Sequence, residues 1–242
     1  MNFMIFFSIL SMFQEKSFKE TQLVHSRVAE AYADKEKIVS QYFTDNHVRQ
    51  SGFNLFLRGF KEEGKLEVWV KEKGKDQYVL LTTYDFCATS GQPGPKRKEG
   101  DGQIPEGIYY INHFNPLSNF FLSLGINYPN ESDRLLSDRM HPGGSIYIHG
   151  NCVTIGCIPI TDDKIKELYV LAVEARNNGQ RKIPVHIFPF AKMNGAKALS
   201  QTYGIANIKF WENLNLIFQD FEKTKRLSSI SVDNNGSYVI SN

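Results

Sequence analysis

The segment HGNCVTIGCIPI, residues 149–160, is the most informative part of this sequence for both architecture and chemistry. In it, His149 precedes Cys157 by eight positions, between a β-rich run and a helical one. This spacing allows the chain to leave a strand at His149, turn, and bring Cys157 back alongside it. An imidazole beside a thiol can take the thiol proton, which is the minimum requirement for covalent acyl transfer by cysteine. We therefore take Cys157 as the candidate nucleophile and His149 as its general base.

Gly156, directly before the candidate nucleophile, has no side chain where a substrate carbonyl must approach. We expect the N–H groups of Gly156 and Cys157 to form an oxyanion hole. Three other interpretations stay open. Cys157 is an inert buried cysteine, or it joins His141, His149 and Cys152 in a zinc site. Alternatively, Cys152 and Cys157 form a disulfide in an exported protein, which would switch the nucleophile off.

Around this segment, short β-rich runs alternate with amphipathic stretches, which predicts an α+β fold dominated by β-strands with flanking helices. Three runs with glycine or charged residues between them predict an antiparallel meander. Apolar residues at helical spacing predict the helices, one of which has Thr161 as its N-cap and Gly179 as its C-cap. The predicted strands are 54–60, 65–71, 77–84, 107–113, 143–150 and 183–189, the predicted helices are 18–43, 161–179 and 210–221, and a hairpin is expected around 234–236.

Composition excludes several classes of protein. The 242 residues are 41% hydrophobic, so a sizeable core is expected. The net charge of +2 is too balanced for a protein that mainly binds nucleic acid. Three cysteines are too few for a disulfide-stapled scaffold. No run approaches the roughly 20 apolar residues of a membrane span.

The first residues suggest export. Residues 3–13, FMIFFSILSMF, suit the apolar core of a secretory signal or a short membrane anchor, although no basic residue precedes them. An ordinary buried helix is the alternative. We predict a signal or anchor at 1–14, a helical arm at 15–50, a catalytic domain at 51–190, and a C-terminal helix and hairpin packed on that domain at 191–242.

The segment 91–107, GQPGPKRKEGDGQIPEG, is so rich in glycine and proline that neither a strand nor a helix is expected there. Long loops of this kind are often functional. Its basic run, Lys96, Arg97 and Lys98, is predicted to be solvated, with binding to an anionic glycan or peptide as the alternative.

HGNCVTIGCIPI resembles the active-site motif of the L,D-transpeptidase catalytic domain, the YkuD family. The resemblance is to a branch of murein L,D-transpeptidase-like proteins in which the motif shortens to this form. It implies antiparallel sheets in a sandwich or barrel-like arrangement and covers roughly residues 50–225. Supporting stretches in the expected order are GPKRKEGDGQIPEGIYYI at 94–111, FLSLGINYPNESDR at 121–134, GGSIYIHG at 143–150, VHIFPF at 185–190 and FWENLNLIFQDFE at 210–222.

The resemblance implies that Cys157 is the nucleophile, His149 the base, and Gly156 with Cys157 the source of the oxyanion donors. Two positions depart from the longer family motifs. Ile155 stands where those motifs have a second histidine, and Pro159 stands where an arginine follows the cysteine. Recognition of the substrate carboxylate must therefore come from elsewhere.

Arg134 and Arg139 are our candidates for binding that carboxylate, with a plain surface role as the alternative. Tyr128 is a candidate for lining the cleft, with ordinary packing as the alternative. Gly150 replaces a serine that steadies the histidine in some relatives, so we expect a main-chain carbonyl to orient the imidazole. We include Gly150 among the expected substrate contacts.

The function implied by the resemblance is acyl transfer on peptidoglycan stem peptides outside the inner membrane, in the periplasm or cell envelope. A thioester on Cys157 with the carbonyl of the third stem residue, a diamino acid, is resolved by an amine acceptor. Water as acceptor would make the protein an L,D-carboxypeptidase, or an amidase that releases a wall-attached lipoprotein. A non-catalytic peptidoglycan-binding module is the remaining alternative. We expect no cofactor, no metal, no nucleic acid partner, and membrane contact through the N-terminal segment alone.

Overall fold

The computed structural model describes residues 16–192 and 204–241, so the signal or anchor expected at 1–14 lies outside the described residues. The helices are α1 (Phe18–Leu23), α2 (Ser26–Asp45), α3 (Glu131–Leu136), α4 (Thr161–Asn177) and α5 (Ile205–Thr224). The strands are β1 (Asn54–Phe60), β2 (Lys65–Lys71), β3 (Val79–Asp85), β4 (Gly107–Asn115), β5 (Ser123–Ile126), β6 (Tyr147–His149), β7 (Ile158–Pro159), β8 (Ile183–Phe188), β9 (Ser229–Val232) and β10 (Tyr238–Ser241).

In the described part of the chain, eight strands form one mixed sheet in the order β3-β2-β1-β8-β4-β5-β6-β7. Its neighbours are antiparallel except for the parallel pairs β1 with β8 and β6 with β7. The first three strands form the predicted meander. Strands β9 and β10 form the predicted terminal hairpin. The predicted α+β class is confirmed, but the main sheet is mixed and not purely antiparallel, because it contains two parallel pairings.

Strand β1 lies in the middle of the molecule because both of its faces are covered. Successive side chains of a strand point to opposite faces. Leu55 and Leu57 join the core cluster that α2 and α4 complete on one face. Phe60 packs on the opposite face with Phe188 of β8 and Trp211 of α5. The flanking helices therefore bury the sheet from both sides.

The two outermost strands of the sheet, β3 and β7, are joined to each other. Cys87, which follows β3, donates its N–H to the carbonyl of Pro159 in β7 at 3.0 Å. Cys87 also forms a disulfide with Cys152, with a Cα–Cα distance of 5.3 Å. The sheet therefore curls until its ends meet. The interpretation of a Cys152–Cys157 disulfide is wrong, because Cys152 pairs with Cys87 and Cys157 is a free thiol.

We expect this disulfide to make a large contribution to stability. It links residues 65 positions apart in sequence. A cross-link over such a distance lowers the entropy of the unfolded chain and thereby stabilises the folded state by about 2–4 kcal/mol. The double variant Cys87→Ser, Cys152→Ser should lose that amount in the free energy of unfolding, measured by urea denaturation. Dithiothreitol should destabilise the wild type and leave the double variant unchanged. Equal midpoints for the oxidised wild type and the double variant would contradict this expectation.

Several elements differ from the predictions. The helix expected at 18–43 is interrupted between α1 and α2, and the strand expected at 143–150 is limited to β6. Strands β5 and β7 and helix α3 are not among the predicted elements. Helix α4 confirms the predicted helix but shifts both predicted caps by one residue, since Ile160 is the N-cap and Asn178 the C-cap. The hydroxyl of Thr161, the first helical residue, accepts from the N–H of Lys164 at 3.3 Å, and Gly179 follows the C-cap with a φ of 98°. No helix among the described residues is both long and apolar enough to cross a membrane.

Candidate active site

Cys157 lies directly before β7, beside a cavity of about 330 Å³. Its side chain is half-buried, and its sulfur atom is held from strand β6 and the residues before it. The N–H of Tyr147 lies 3.4 Å from Sγ, and the thiol donates to the carbonyl of Ser145 at 3.7 Å. The cavity is lined by Lys96, Glu99, Gly100, Gly143, Gly144, Ser145, Ile146, Ile155, Gly156 and Cys157.

The turn that presents Cys157 is organised by Thr154. Its hydroxyl donates to the carbonyl of Cys157 at 2.7 Å and accepts from the N–H of Gly156 at 3.1 Å. Gly156 has a φ of 138°, and a Cβ atom there would lie 3.0 Å from the carbonyl oxygen of Gln103. Glycine is therefore required where the turn packs on the 91–107 segment. The role of the Gly156 N–H in an oxyanion hole stays a prediction, since that N–H already has a partner.

His149 ends strand β6 and is 1% exposed. Its Nδ1 contacts the carbonyl of Gly150, which is the type of partner expected for the imidazole. Because a carbonyl can only accept, Nδ1 carries the proton and Nε2 keeps its lone pair. The ring of Phe120 stacks on the imidazole with centroids 4.5 Å apart. These two contacts fix both the tautomer and the plane of the ring.

The register between β6 and β7 sets how His149 and Cys157 are related. His149 pairs with Pro159, and the sulfur of Cys157 contacts Tyr147, two residues earlier on the same strand. Two residues correspond to roughly 7 Å along a strand. The hydrogen bonds of the sulfur do not include His149, and His149 does not line the cavity. The structure therefore brings the two residues to neighbouring strands without a direct bond between them.

Burial disfavours a charged pair at this site. It raises the pKa of the Cys157 thiol above its ordinary range and lowers the pKa of the His149 imidazole. The N–H of Tyr147 and the charge of Lys96 act on the thiol in the opposite direction without outweighing burial. A neutral thiol and a neutral imidazole are therefore the resting forms near pH 7. The proton must move when substrate is attacked, as in general base catalysis.

The expected substrate contacts lie outside the cavity. Arg134 is exposed on α3 in a different depression, and Arg139 is exposed in the loop before β6. Tyr128 is buried and donates to the carbonyl of Pro142 at 2.8 Å. Gly150 is also buried, and a Cβ atom there would lie 2.4 Å from Oδ1 of Asp162. The structure therefore does not bring these four residues to Cys157.

Lys96 lines the cavity, although sequence reasoning predicted a solvated basic run. Its side chain is 5% exposed. The rest of the 91–107 segment is ordered by a buried lysine, as Nζ of Lys61 donates to the carbonyls of Gly94 at 2.8 Å and Ile104 at 3.0 Å. The segment is thus a fixed wall of the site.

The interpretation of a zinc site is wrong, because one of its four proposed ligands, Cys152, is in a disulfide. The sulfur of Cys152 is bonded to Cys87 and is not available as a thiolate ligand. Within residues 16–192 and 204–241, no group of three or more histidine, cysteine, aspartate or glutamate side chains is arranged to hold a metal ion.

Comparisons with known proteins agree on one family. The family model of the L,D-transpeptidase catalytic domain, YkuD, matches residues 62–187. The chain is 37% identical over 193 residues to "Putative L,D-transpeptidase YafK" of Escherichia coli (strain K12), and the match covers 78% of this chain and 75% of that protein. The same identity and coverage hold for the protein of that name in Escherichia coli O157:H7.

Among solved structures, the chain is similar to the helical cell shape determining protein Pgp2 from Campylobacter jejuni. The TM-score is 0.46 at 18% sequence identity, over 75% of this chain and 73% of that chain. It is also similar to Bd1075 of Bdellovibrio bacteriovorus, with a TM-score of 0.40 at 22% identity, over 70% of this chain and 57% of that chain.

Proposed function

Because this chain belongs to the family of L,D-transpeptidase catalytic domains, we propose that it is a cysteine acyltransferase acting on peptidoglycan stem peptides. Cys157 would attack the main-chain carbonyl of the diamino acid at the third stem position. An amine acceptor would then resolve the thioester and form a new amide bond.

In each half of the proposed reaction, His149 takes one proton from the attacking group and gives it to the leaving group. In the first half, the thiol of Cys157 adds to the carbonyl carbon while Nε2 of His149 takes the thiol proton, through one bridging water or after the two groups close on the bound substrate. The amide C–N bond breaks, and the leaving amine takes that proton from the imidazolium. In the second half, the acceptor amine attacks the thioester, loses a proton through His149, and the sulfur leaves as the regenerated thiol. The N–H of Cys157 would stabilise the tetrahedral oxyanions, and the N–H of Gly156 would join it on release from the hydroxyl of Thr154.

One observation carries the proposal. Cys157 is a free thiol at a cavity, while the other two cysteines of the chain form a disulfide with each other. The neighbouring strand ends in a histidine whose Nδ1 is engaged by the carbonyl of Gly150. A thiol, a base in a defined tautomer and a cavity for an acyl group are the parts that this chemistry requires.

We also propose that the protein acts in the periplasm or cell envelope. The Cys87–Cys152 disulfide supports this proposal, since such bonds form and persist in oxidising compartments. The apolar segment at 3–13 would serve as a signal or membrane anchor. The domain boundaries at residues 14, 50 and 190 remain part of the proposal.

The products formed from peptidoglycan distinguish an acyltransferase from a hydrolase and from a non-catalytic binding module. Purified sacculi with and without attached lipoprotein should be incubated with the wild type or with Cys157→Ala, digested with a muramidase, and analysed by mass spectrometry. New cross-links, or a supplied amine attached at the third stem residue, are expected for the acyltransferase. Loss of the residue after the diamino acid, or release of lipoprotein, without attachment of the amine would instead indicate a hydrolase. Binding to sacculi with unchanged products would indicate the non-catalytic module.

A further inference from the structure

Lys96 is a buried cation at the wall of the cavity that contains Cys157. Its ammonium group donates to the carbonyl of Lys98 at 2.9 Å and to Oδ1 of Asp101 at 2.7 Å, and it lies 6.0 Å from the ring centroid of Tyr128. An ammonium group has three N–H donors. Within the described part of the chain, these two hydrogen bonds leave one donor for a bound molecule.

The carboxylate of Asp101, the ion-pair partner of Lys96, is shared among other donors. Three backbone N–H groups donate to it, those of Arg97 at 2.8 Å, Lys98 at 3.0 Å and Gln103 at 3.1 Å. These backbone donors hold the carboxylate in place and occupy much of its hydrogen-bonding capacity. The positive charge of Lys96 still acts on the thiol of Cys157, whose pKa it lowers against the effect of burial.

Gly143 leaves room for the ammonium end of Lys96 at the cavity wall. It has a φ of 84°, and a Cβ atom at this position would lie 3.0 Å from Cε and 3.4 Å from Nζ of Lys96. A side chain at this position would therefore crowd the end of Lys96 and displace it from the wall. Arg134 and Arg139 do not line the cavity, and Glu99, which does, carries the opposite charge.

We infer that Lys96 is the anion subsite of this cavity and binds a substrate carboxylate adjacent to the amide that Cys157 attacks. The inference rests on the proposed function for the identity of the substrate. Two carboxylates in a stem peptide lie close enough to that amide, the terminal carboxylate of the leaving residue and the side-chain carboxylate of the diamino acid. Either would receive a charge-assisted hydrogen bond in a site where solvent is partly excluded.

Two small alkylating agents test the subsite without any enzymatic turnover. Iodoacetate carries a carboxylate next to the reactive carbon, and iodoacetamide is its neutral analogue. Mass spectrometry of Cys157 gives the ratio of the two alkylation rates. We expect Lys96→Met to lower the iodoacetate to iodoacetamide ratio about tenfold, because an attraction between unit charges a few ångströms apart is lost. The matched control Lys98→Met, which removes a neighbouring exposed charge, should leave the ratio at the wild-type value.

An unchanged ratio in Lys96→Met would overturn the inference. Should that variant fail to fold, the wild type alone provides a second measurement. N-acetyl-D-alanine should protect Cys157 from iodoacetamide, and N-acetyl-D-alaninamide should protect it less. Equal protection by the two compounds, or none, would also overturn the inference.

Synthetic stem tetrapeptides then identify which carboxylate is bound. One pair differs by a free or amidated C-terminus, and the other pair has meso-diaminopimelate or lysine at the third position. A loss of kcat/KM in Lys96→Met confined to the free C-terminus, or to the diaminopimelate peptide, assigns the corresponding carboxylate. An equal loss on all peptides would contradict a carboxylate subsite. No turnover by the wild type, together with a lowered alkylation ratio in Lys96→Met, would refute the proposed function while supporting the subsite.

Discussion

Replacement of Cys157 by alanine is expected to lower kcat/KM on stem peptides by about 10⁴-fold or more, because the variant has no atom that can hold the acyl group. Loss of the nucleophile can also be measured without a natural substrate, as loss of acylation by a carbapenem. A carbapenem contains a strained amide whose carbonyl can acylate a thiol, and ring opening releases no fragment. The wild type should gain the full mass of the carbapenem once per chain, and Cys157→Ala should gain none.

The disulfide provides a stringent control for this experiment. The double variant Cys87→Ser, Cys152→Ser retains Cys157 as its single cysteine and should still be acylated once. A single Cys152→Ala variant is less informative, since it frees the thiol of Cys87. Acylation of Cys157→Ala at any other residue would contradict the assignment of the nucleophile.

Replacement of His149 by glutamine is expected to lower kcat/KM by about 10²–10⁴-fold, the usual contribution of a general base. Glutamine occupies a similar volume beneath Phe120 and can still donate to the carbonyl of Gly150. It cannot take a proton from Cys157. The matched control is His141→Gln, which changes an exposed histidine in the loop before β6 and should retain wild-type activity.

The pH dependence distinguishes a general base from a preformed ion pair. Burial lowers the pKa of His149, so the imidazole stays neutral somewhat below its ordinary value of about 6.5. Wild-type activity should therefore persist below pH 6.5 and fall only as the imidazole becomes protonated. Burial raises the pKa of Cys157, so the residual activity of His149→Gln should increase with pH and continue to increase above about pH 8.5.

Alkylation by iodoacetamide measures the same groups directly. In the wild type, the rate should rise with pH and still be rising near pH 8.5, because the thiol is not ionised at neutral pH. Fast alkylation that is independent of pH between 5 and 8 would instead indicate a thiolate already paired with an imidazolium. Such a result would contradict the neutral pair that burial favours in the structure.

The sequence was informative where local pattern and tertiary structure agree. The alternating strands around Leu55, the helix that begins at Thr161 and the terminal hairpin depend on side-chain period and capping, and these are readable from neighbouring residues. Strand β5 and helix α3 are short, so pairing with distant strands decides them. Strand β6 is shorter than predicted for the same reason, since only Tyr147–His149 has partners in the sheet.

Some residues of the candidate site were likewise predictable from local sequence, and others were not. The pair His149 and Cys157 follows from chemistry and spacing, and the main-chain partner of the imidazole was expected in kind. Lys96 was missed because a basic run resembles a solvated loop, and its burial depends on Asp101 and on the absence of a side chain at Gly143. A lysine followed five residues later by an aspartate between two glycines is the signal that could have suggested it.

The junction of β3 with β7 has a consequence beyond the stability of a single molecule. A sheet with free outer strands presents unpaired backbone groups that can recruit strands from other chains. Here the N–H of Cys87 is already bonded to Pro159, and the disulfide to Cys152 keeps the two strands together. Oxidised molecules therefore give their neighbours little template for intermolecular β-sheet. Reduction would leave only this hydrogen bond between the two strands, and we expect reduced preparations to self-associate at concentrations where oxidised ones stay monodisperse.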